Sequence, residues 1–350
     1  CADSKQSMTV TVTNPLALER TGEMVEVPMS DVTAKLQLAD TAQIVVLGED
    51  GQQVPYQVTY DEKVVFPATV KANGTATYTI QSGTPDPYNV IACGRYYPER
   101  LDDVAWEKRA RIAELKKTDP KAAAELQNAI SYHIDHGYGM DCYAVGPTLG
   151  CGTAALMAGD TIIYPYCYRT QEILDNGPLR FTVKLEFNPL TVRGDSNVVE
   201  TRVITLDAGS YLNKTVVSYT NLKEAMPVTT GIVLREPDGV VTADAANGYI
   251  TYVDPTTDRS GGNGKIFIGA AFPSLVKEAK TVLFPEKEKK ELRGGADGHV
   301  LAISEYEPGS EYTYYWGSAW DKAAIKTVDA WNAYMAEYAQ KVRTPLTVTY

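Results

Sequence analysis

The strongest constraint on the fold is a long succession of strand-like segments between residues 179 and 304, with no helical period among them. Turn-forming pairs such as Asp238-Gly239 and Asn247-Gly248 punctuate this part of the chain. The predicted strands are Leu179–Phe187, Val198–Leu206, Leu212–Tyr219, Val228–Leu234, Tyr249–Val253, Ile266–Ala270 and Val300–Ser304. Consecutive antiparallel strands must bury their apolar faces against another layer, so this pattern predicts a large β-sandwich.

A separate small β-sandwich is predicted over residues 8–85. Short alternating segments such as Met8–Val12 and Thr75–Ile80 are separated by turn signals such as Asn73-Gly74. Further strands are predicted at Ile44–Leu47, Val54–Tyr60 and Val64–Phe66. We therefore expect a domain boundary after residue 85, with residues 86–350 forming the large domain.

Two helical features are predicted within the large domain. Residues 106–130 are rich in Ala, Glu, Lys and Leu, and Asp119-Pro120 supplies an N-cap followed by a first-turn proline, so a helical insertion is expected there. A C-terminal helix is expected over residues 321–343. Its apolar residues recur at three- and four-residue steps, as Val328, Trp331, Met335, Tyr338 and Val342.

Composition excludes two classes of protein. The 350-residue chain carries a formal net charge of −11, which repels the phosphates of a nucleic acid. No apolar run approaches the roughly 18 residues that a membrane helix requires. Tyrosine is abundant, with 23 residues against six Phe and four Trp. Tyr combines an apolar ring face with a hydroxyl, which suits a sugar-binding cleft and equally the half-exposed surface of a β-sandwich.

The cysteines indicate a cellular location. There are five, an odd count, without Cys-x-x-Cys spacing, and their pairing cannot be read from the sequence. The chain begins with Cys1 and a small, polar stretch, which is typical of a mature bacterial lipoprotein; the alternative is an arbitrary boundary of the sequence. We expect a lipid on Cys1, a tether over residues 1–7, and an exported protein in the periplasm or outer membrane, anchored only through that lipid.

A glycine-rich loop over residues 132–152 concentrates groups that move protons. It carries His133 and His136, two of the three histidines, together with two aspartates and two tyrosines that we include in a candidate site: Asp135, Asp141, Tyr138 and Tyr143. Histidine titrates near neutral pH and is a common proton shuttle. Three interpretations stay open, namely a sugar site, a metal site, and histidines that merely hold the loop through hydrogen bonds.

A second candidate group lies just before the helical insertion. Arg95 and Arg100 offer planar guanidinium groups for a carboxylate or for paired hydroxyls, and Trp106 offers a ring for stacking on a sugar. An interdomain salt-bridge network with a core tryptophan is the alternative. Trp316 is a further candidate for binding. Four glutamates on or beside predicted strands are candidates for acid–base work, namely Glu186, Glu200, Glu236 and Glu305.

Several strings resemble the DUF4861 family of exported proteins, common in Bacteroidetes. They are Tyr97–Glu107, His133–Asp141, Val145–Gly152, Glu200–Ser210 and Tyr314–Trp320. The resemblance implies a galactose mutarotase-like supersandwich with a small N-terminal β module, and a role among proteins that degrade pectin or other uronate-containing glycans. The chain departs from the family pattern at residues 108–128, which are short and helical here.

Two functions are therefore expected. In the first, the protein is an enzyme, a polysaccharide lyase or glycoside hydrolase that acts on an oligosaccharide. His133 or His136 moves a proton, Tyr143 or Tyr138 assists, and Arg95 or Arg100 neutralises a sugar carboxylate. In the second, it is a non-catalytic glycan-binding surface lipoprotein with an aromatic platform. Sugar epimerisation is a weaker third option. No cofactor is predicted, and a divalent metal stays open.

Overall fold

The computed structural model describes residues 6–39, 42–92, 104–131, 133–137, 140–165, 167–235, 237–256 and 262–350, with only the backbone over 104–109. Several candidate residues lie outside the described residues: Cys1, Arg95, Arg100, Tyr138, Glu236 and the side chain of Trp106. The first elements are β1 (Ser7–Thr13), β2 (Arg20–Pro28), α1 (Met29–Leu36), β3 (Ile44–Leu47), β4 (Gln53–Val54), β5 (Gln57–Val58), β6 (Lys63–Val70) and β7 (Thr75–Ser82).

The helices and strands that follow make up the rest of the described chain. They are α2 (Val104–Thr118), α3 (Pro120–Ile130), β8 (Cys151–Ala158), β9 (Thr161–Ile163), β10 (Tyr168–Asn176), β11 (Arg180–Phe187), β12 (Leu190–Val192), β13 (Asp195–Asp207), β14 (Leu212–Thr220), β15 (Met226–Leu234), β16 (Val240–Asp244), β17 (Tyr249–Asp254), β18 (Ile266–Ala271), β19 (Glu278–Leu283), α4 (Glu286–Leu292), β20 (Gly298–Tyr306), β21 (Tyr312–Trp320), α5 (Val328–Arg343) and β22 (Thr347–Thr349).

The first strands form a small β-sandwich. One sheet has the order β22-β1-β7-β3-β4 and the other the order β2-β6-β5. Alternate residues of β1, namely Met8, Val10 and Val12, are buried between them, as a strand with one covered face requires. The last strand of the chain returns to this sandwich, because β22 pairs with β1 at Thr11 and Thr349. The domain boundary expected after residue 85 stays a prediction.

Two larger antiparallel sheets pack face to face. The wide sheet has nine strands, in the order β10-β11-β13-β14-β21-β18-β17-β16 with β12 attached to β13, and the narrow sheet has five, in the order β19-β20-β15-β8-β9. Their facing residues, such as Val217, Val228, Ile268 and Val300, form the main hydrophobic core. The prediction of a mainly β chain with large antiparallel sheets is confirmed.

The wide sheet has two chemically different faces. Along β13, Arg202 points inward, because its Nη2 donates to the Ala154 carbonyl oxygen of the narrow sheet at 3.1 Å. Asp207 points outward and lines a cavity beneath α5. Because side chains alternate along a strand, Glu200 and Ile204 share the inner face with Arg202, while Thr205 shares the outer face.

The helices of the large domain lie outside the two packed sheets. α2 and α3 pack against each other, and their bounds agree with the predicted insertion. α5 buries Trp331, Met335 and Ala339 on the outer face of the wide sheet. It begins at Val328, not at residue 321 as predicted, because Thr327 is the N-cap and its hydroxyl accepts a hydrogen bond from the Ala330 N–H at 3.1 Å. No described helix is long and apolar enough to cross a bilayer.

Candidate functional site

The two histidines of the predicted site lie at the surface, and both rings bond to the backbone of their own loop. His133 Nδ1 is 2.6 Å from the Asp141 carbonyl oxygen. His136 Nε2 is 3.0 Å from the Ser131 carbonyl oxygen. These contacts tie Ser131 and Asp141, one at each end of the segment 131–141, to the histidines between them, which is what the loop-holding interpretation predicts. The catalytic interpretation stays a prediction.

The two aspartates also bond within the loop. Asp135 Oδ1 accepts a hydrogen bond from the Gly137 N–H at 2.8 Å, and Asp141 Oδ1 accepts one from the Tyr143 N–H at 3.2 Å. Both are contacts over two residues, of the kind that Asp side chains make in turns. Among the described residues, no group of three or more His, Cys, Asp or Glu side chains is placed to hold a metal ion.

Tyr143 is placed differently from its neighbours in the sequence. Its side chain is buried in the core between the two large sheets, and its hydroxyl donates to the Val233 carbonyl oxygen. Burial raises the pKa of Tyr143 well above its usual value, and the neighbouring Cys151, Tyr252 and Asp254 add to the shift. The predicted assistant in proton transfer is therefore a phenol that anchors the loop in the core.

A buried ion pair lies on the inner face of the wide sheet, at β13. Glu200 is 2% exposed and accepts a hydrogen bond from Arg202 Nε. Arg202 is held from two further directions, by the Ala154 carbonyl oxygen and by the ring of Phe187, whose centroid lies 4.4 Å from the guanidinium carbon. A buried pair with these extra contacts is rigid, because the guanidinium plane is fixed at its edge and at its face.

Trp316, one of the predicted binding residues, lies on the same inner face at β21. It is half-buried, and its indole Nε1 donates to Thr215 Oγ1 at 2.7 Å. The backbone of Gly152 lies against it, so that a Cβ at Gly152 would be 2.9 Å from Trp316 Cβ. The φ of Gly152 is +118°, a backbone conformation that residues with a side chain rarely adopt. Glycine at this position therefore lets the first residues of β8, which follow the glycine-rich loop, approach the tryptophan.

Two tyrosines complete this group. Tyr219 is buried beside Glu200, and burial followed by the Glu200 charge raises its pKa well above the usual value. Burial raises the pKa of Tyr314 to about 12. The inner-face cluster is defined as Phe187, Glu200, Arg202, Tyr219, Tyr314 and Trp316. Its members come from four neighbouring strands, β11, β13, β14 and β21, which the sheet order brings together.

The inner-face cluster joins strings that are distant in the sequence. Gly152 is the second residue of β8, directly after the glycine-rich loop, Glu200 and Arg202 belong to β13, and Trp316 belongs to β21. The other described glutamate candidates lie elsewhere and are paired at the surface. Glu186 pairs with Arg169, and Glu305 pairs with Lys277 at 2.8 Å. Of the described glutamate candidates, Glu200 alone is buried, on the sheet face that also carries Trp316.

Arg202 is the residue that sequence reasoning missed as a site residue. Its signal was present in β13, where Glu200 and Arg202 share a strand face with the apolar Val198 and Ile204. Charged side chains on the covered face of a strand are costly unless they pair with each other. Two opposite charges spaced by two residues on such a face therefore indicate a buried pair.

Comparison with known proteins places the chain in a family. Uncharacterized protein P7 of Formosa agariphila is 21% identical over 382 residues, covering 97% of this chain and 92% of that protein. A solved glycosyl hydrolase family 38 protein from Enterococcus faecalis has a TM-score of 0.51 at 9% identity, over 99% of this chain and 48% of that chain.

An α-mannosidase from the same organism has a TM-score of 0.48 at 10% identity, over 98% of this chain and 46% of that chain. This chain therefore spans about half the length of these two structures, and the likeness to the first concerns the fold. The family model described as "Domain of unknown function (DUF4861)" matches residues 12–348, and the chain therefore belongs to this family.

Proposed function

We propose that the protein processes carbohydrate, and that it binds an oligosaccharide against the inner-face cluster. The observation that carries this proposal is the half-buried Trp316 with the Glu200–Arg202 pair on the same sheet face. A sugar presents C–H groups on its ring faces and hydroxyls at its edge. An indole ring packs on the C–H groups, and charged or phenolic side chains form hydrogen bonds with the hydroxyls.

The fold supports this assignment without specifying a substrate. The glycosyl hydrolase family 38 protein of similar fold is about twice the length of this chain. Because one fold hosts many functions, the residues of the inner-face cluster, and not the fold, carry the proposal of carbohydrate binding. The finer proposal is a uronate-containing glycan such as pectin. Removing a proton beside a sugar carboxylate needs a nearby cation, and Arg95 or Arg100 is the residue expected to supply it.

The catalytic form of the proposal uses the loop histidines for proton transfer. The loop that carries His133 and His136 continues to Gly152, which contacts Trp316, so one segment links the histidines to the inner-face cluster. In this form a histidine reaches one end of a sugar bound on Trp316 and acts there as the base or acid of an elimination or hydrolysis. We expect His136→Ala to lower product formation by about a hundredfold while binding is kept.

A second candidate function is binding without catalysis. It is favoured by the ring contacts of His133 and His136, each of which bonds to a backbone carbonyl of its own loop. In this case the histidines shape the loop, and the glycan-binding surface around Trp316 is the functional part. Binding then survives loss of both histidines.

One experiment separates the two functions. Purified protein is incubated with pectic oligosaccharides, and new reducing ends and the absorbance of an unsaturated product are followed, with calorimetric titration of the same sugars in parallel. Trp316→Ala removes binding in both cases, whereas the His133→Ala/His136→Ala double variant stops product formation only in the catalytic case. Tyr350→Phe, at an exposed tyrosine near the C terminus, is the matched control. Unchanged affinity of Trp316→Ala for every sugar that the protein binds would refute the proposal.

A further inference from the structure

A cavity of about 420 Å³ lies on the opposite, outer face of the wide sheet. Its floor is formed by β11, β13 and β14, one wall by the small sandwich, and its roof by α5. The volume is within the range of roughly 300 to 1,000 Å³ that is typical of small-molecule sites. Because it is on the other side of the sheet from Trp316, it is separate from the inner-face cluster.

The frame of the cavity is a saturated ion-pair network centred on Arg180. Its Nε and Nη2 donate to Asp207 Oδ1 and Oδ2 at 2.6 and 2.9 Å, and its Nη1 donates to Glu26 Oε1 at 2.6 Å. Glu26 belongs to the small sandwich, so this network joins the two parts of the molecule. Lys63 extends it through Glu26 at 3.0 Å and Asp61 at 3.1 Å. These two cations are therefore committed to protein carboxylates.

The cavity wall contains two buried oxygens that have no hydrogen-bond partner among the described residues. One is Asp175 Oδ2, on a side chain that is 6% exposed and whose other oxygen, Oδ1, accepts from the Tyr60 N–H at 2.7 Å. The other is Thr182 Oγ1, on a residue that is 1% exposed. Asp175 and Thr182 are directly opposite each other on β10 and β11. Buried polar groups are rarely left unpaired, so this pair indicates a ligand that supplies hydroxyl groups.

Tyrosines cover much of the remaining surface. Tyr60, at the side of the small sandwich, is 51% exposed, and Tyr315, Tyr334 and Tyr338 are half-buried under or on α5. Burial, followed by the charges of Asp207, Glu23 and Glu26, raises the pKa of Tyr315 to about 12. These phenols stay protonated near neutral pH, and each offers an apolar face with a hydroxyl at its rim.

The charges of the lining give no excess of cations that would attract an anion. It contains the carboxylates of Glu23, Glu26, Asp61, Asp175 and Asp207, against the cations of Lys63, Arg180, Lys214 and Lys341. Two of the cations are held in the network, and the Asp175 oxygen in the wall would repel a second negative group. Glu23 is itself paired with Arg20 at 2.6 Å, so the remaining charges of the lining balance. Tyrosine faces, acceptors that need donors and this charge balance together fit a neutral, hydroxyl-rich ring.

We propose that this cavity is a second binding site, which takes one unit of a neutral saccharide. A sugar hydroxyl donates to Asp175 Oδ2, a neighbouring hydroxyl bonds to Thr182 Oγ1, and the ring packs on the tyrosines. The site does not depend on the function proposed for the inner-face cluster, because its residues come from the other face of the sheet and from the small sandwich.

The test is calorimetric titration of the whole chain with neutral oligosaccharides of glucose, galactose, mannose and xylose, and with galacturonate oligosaccharides for comparison. Asp175→Asn keeps an oxygen for the Tyr60 N–H and replaces the other oxygen by a donor, and Thr182→Val removes the hydroxyl at constant shape. Each variant is expected to weaken binding of the neutral sugar about tenfold. Thr201→Val, on the same face of the wide sheet but outside the cavity lining, is the matched control and should bind as the parent does.

The outcomes are distinct from those at Trp316. Neutral-sugar binding that weakens in the two cavity variants and persists in Trp316→Ala supports the second site, whether or not the inner-face proposal holds. Three results overturn it: none of the neutral sugars binds, the cavity variants bind as tightly as the parent, or the galacturonate oligosaccharides prove to be the ligands that Asp175→Asn affects. Thermal unfolding of each variant shows that it is folded before it is titrated.

Discussion

Gly152 gives the sharpest test of how the glycine-rich loop meets the inner-face cluster. An alanine Cβ there would lie 2.9 Å from Trp316 Cβ, at a φ of +118°. The unfavourable backbone conformation costs about 1 to 3 kcal/mol, and overpacking against a side chain that a hydrogen bond holds costs about 1 to 3 kcal/mol more. We therefore expect Gly152→Ala to lower the free energy of unfolding by about 2 to 6 kcal/mol.

Gly159 provides the matched control, because it also has a positive φ, +60°, but no atom within 4 Å of an added Cβ. Gly159→Ala should cost only the backbone term of about 1 to 2 kcal/mol. Urea unfolding followed by circular dichroism measures both values, and tryptophan fluorescence of the folded Gly152→Ala protein reports whether the Trp316 environment shifts. Equal destabilisation by the two substitutions would refute the claim that the loop is packed against Trp316.

Three further predictions concern other parts of the molecule. His299 Nε2 accepts a hydrogen bond from the Leu149 N–H at 3.0 Å, and burial lowers the pKa of this histidine to about 3. Between pH 7 and pH 3 the unfolded chain therefore binds a proton that the folded chain excludes. The contribution of His299 to the free energy of unfolding should fall by about 3 to 5 kcal/mol over that range. His299→Gln should flatten that part of the pH–stability curve, and an unchanged curve would contradict the assignment. Thr327→Ala removes the N-cap of α5 and should cost about 1 kcal/mol in urea unfolding, whereas a cost of zero would show that the Ala330 N–H does not need the cap. Burial raises the pKa of Cys151 to about 12, so iodoacetamide at pH 8.5 should label it far more slowly in the folded than in the unfolded protein, as peptide mass mapping would show; equal rates would exclude the buried thiol.

The central strands of the large sheets could be predicted from the sequence, because apolar residues recur along them in a strand-like pattern. The segment Leu212–Tyr219 is observed as Leu212–Thr220, and Tyr249–Val253 as Tyr249–Asp254. The edge strand β10 was missed. Its residues from Arg169 to Ile173 are exposed, so no alternation of apolar and polar residues marks it.

The site residues were predicted less well, for a physical reason. Local composition identified the loop with His133 and His136, but their bonding partners are backbone carbonyls, which composition does not reveal. The inner-face cluster depends on the strand order, which places Arg202 of β13 near Phe187 of β11 and Trp316 two strands away from β13. Strand order is set by pairing over long sequence separations, so neighbours of this kind appear only in the folded chain.

The most direct test of the central claim is a crystal structure of the protein soaked with an oligosaccharide that it binds. We expect a sugar ring against Trp316, with its hydroxyls in contact with the side chains of the inner-face cluster. Sugar bound only in the outer-face cavity, or elsewhere on the molecule with Trp316 uncovered, would contradict the proposal that the inner face of the wide sheet is the principal carbohydrate site.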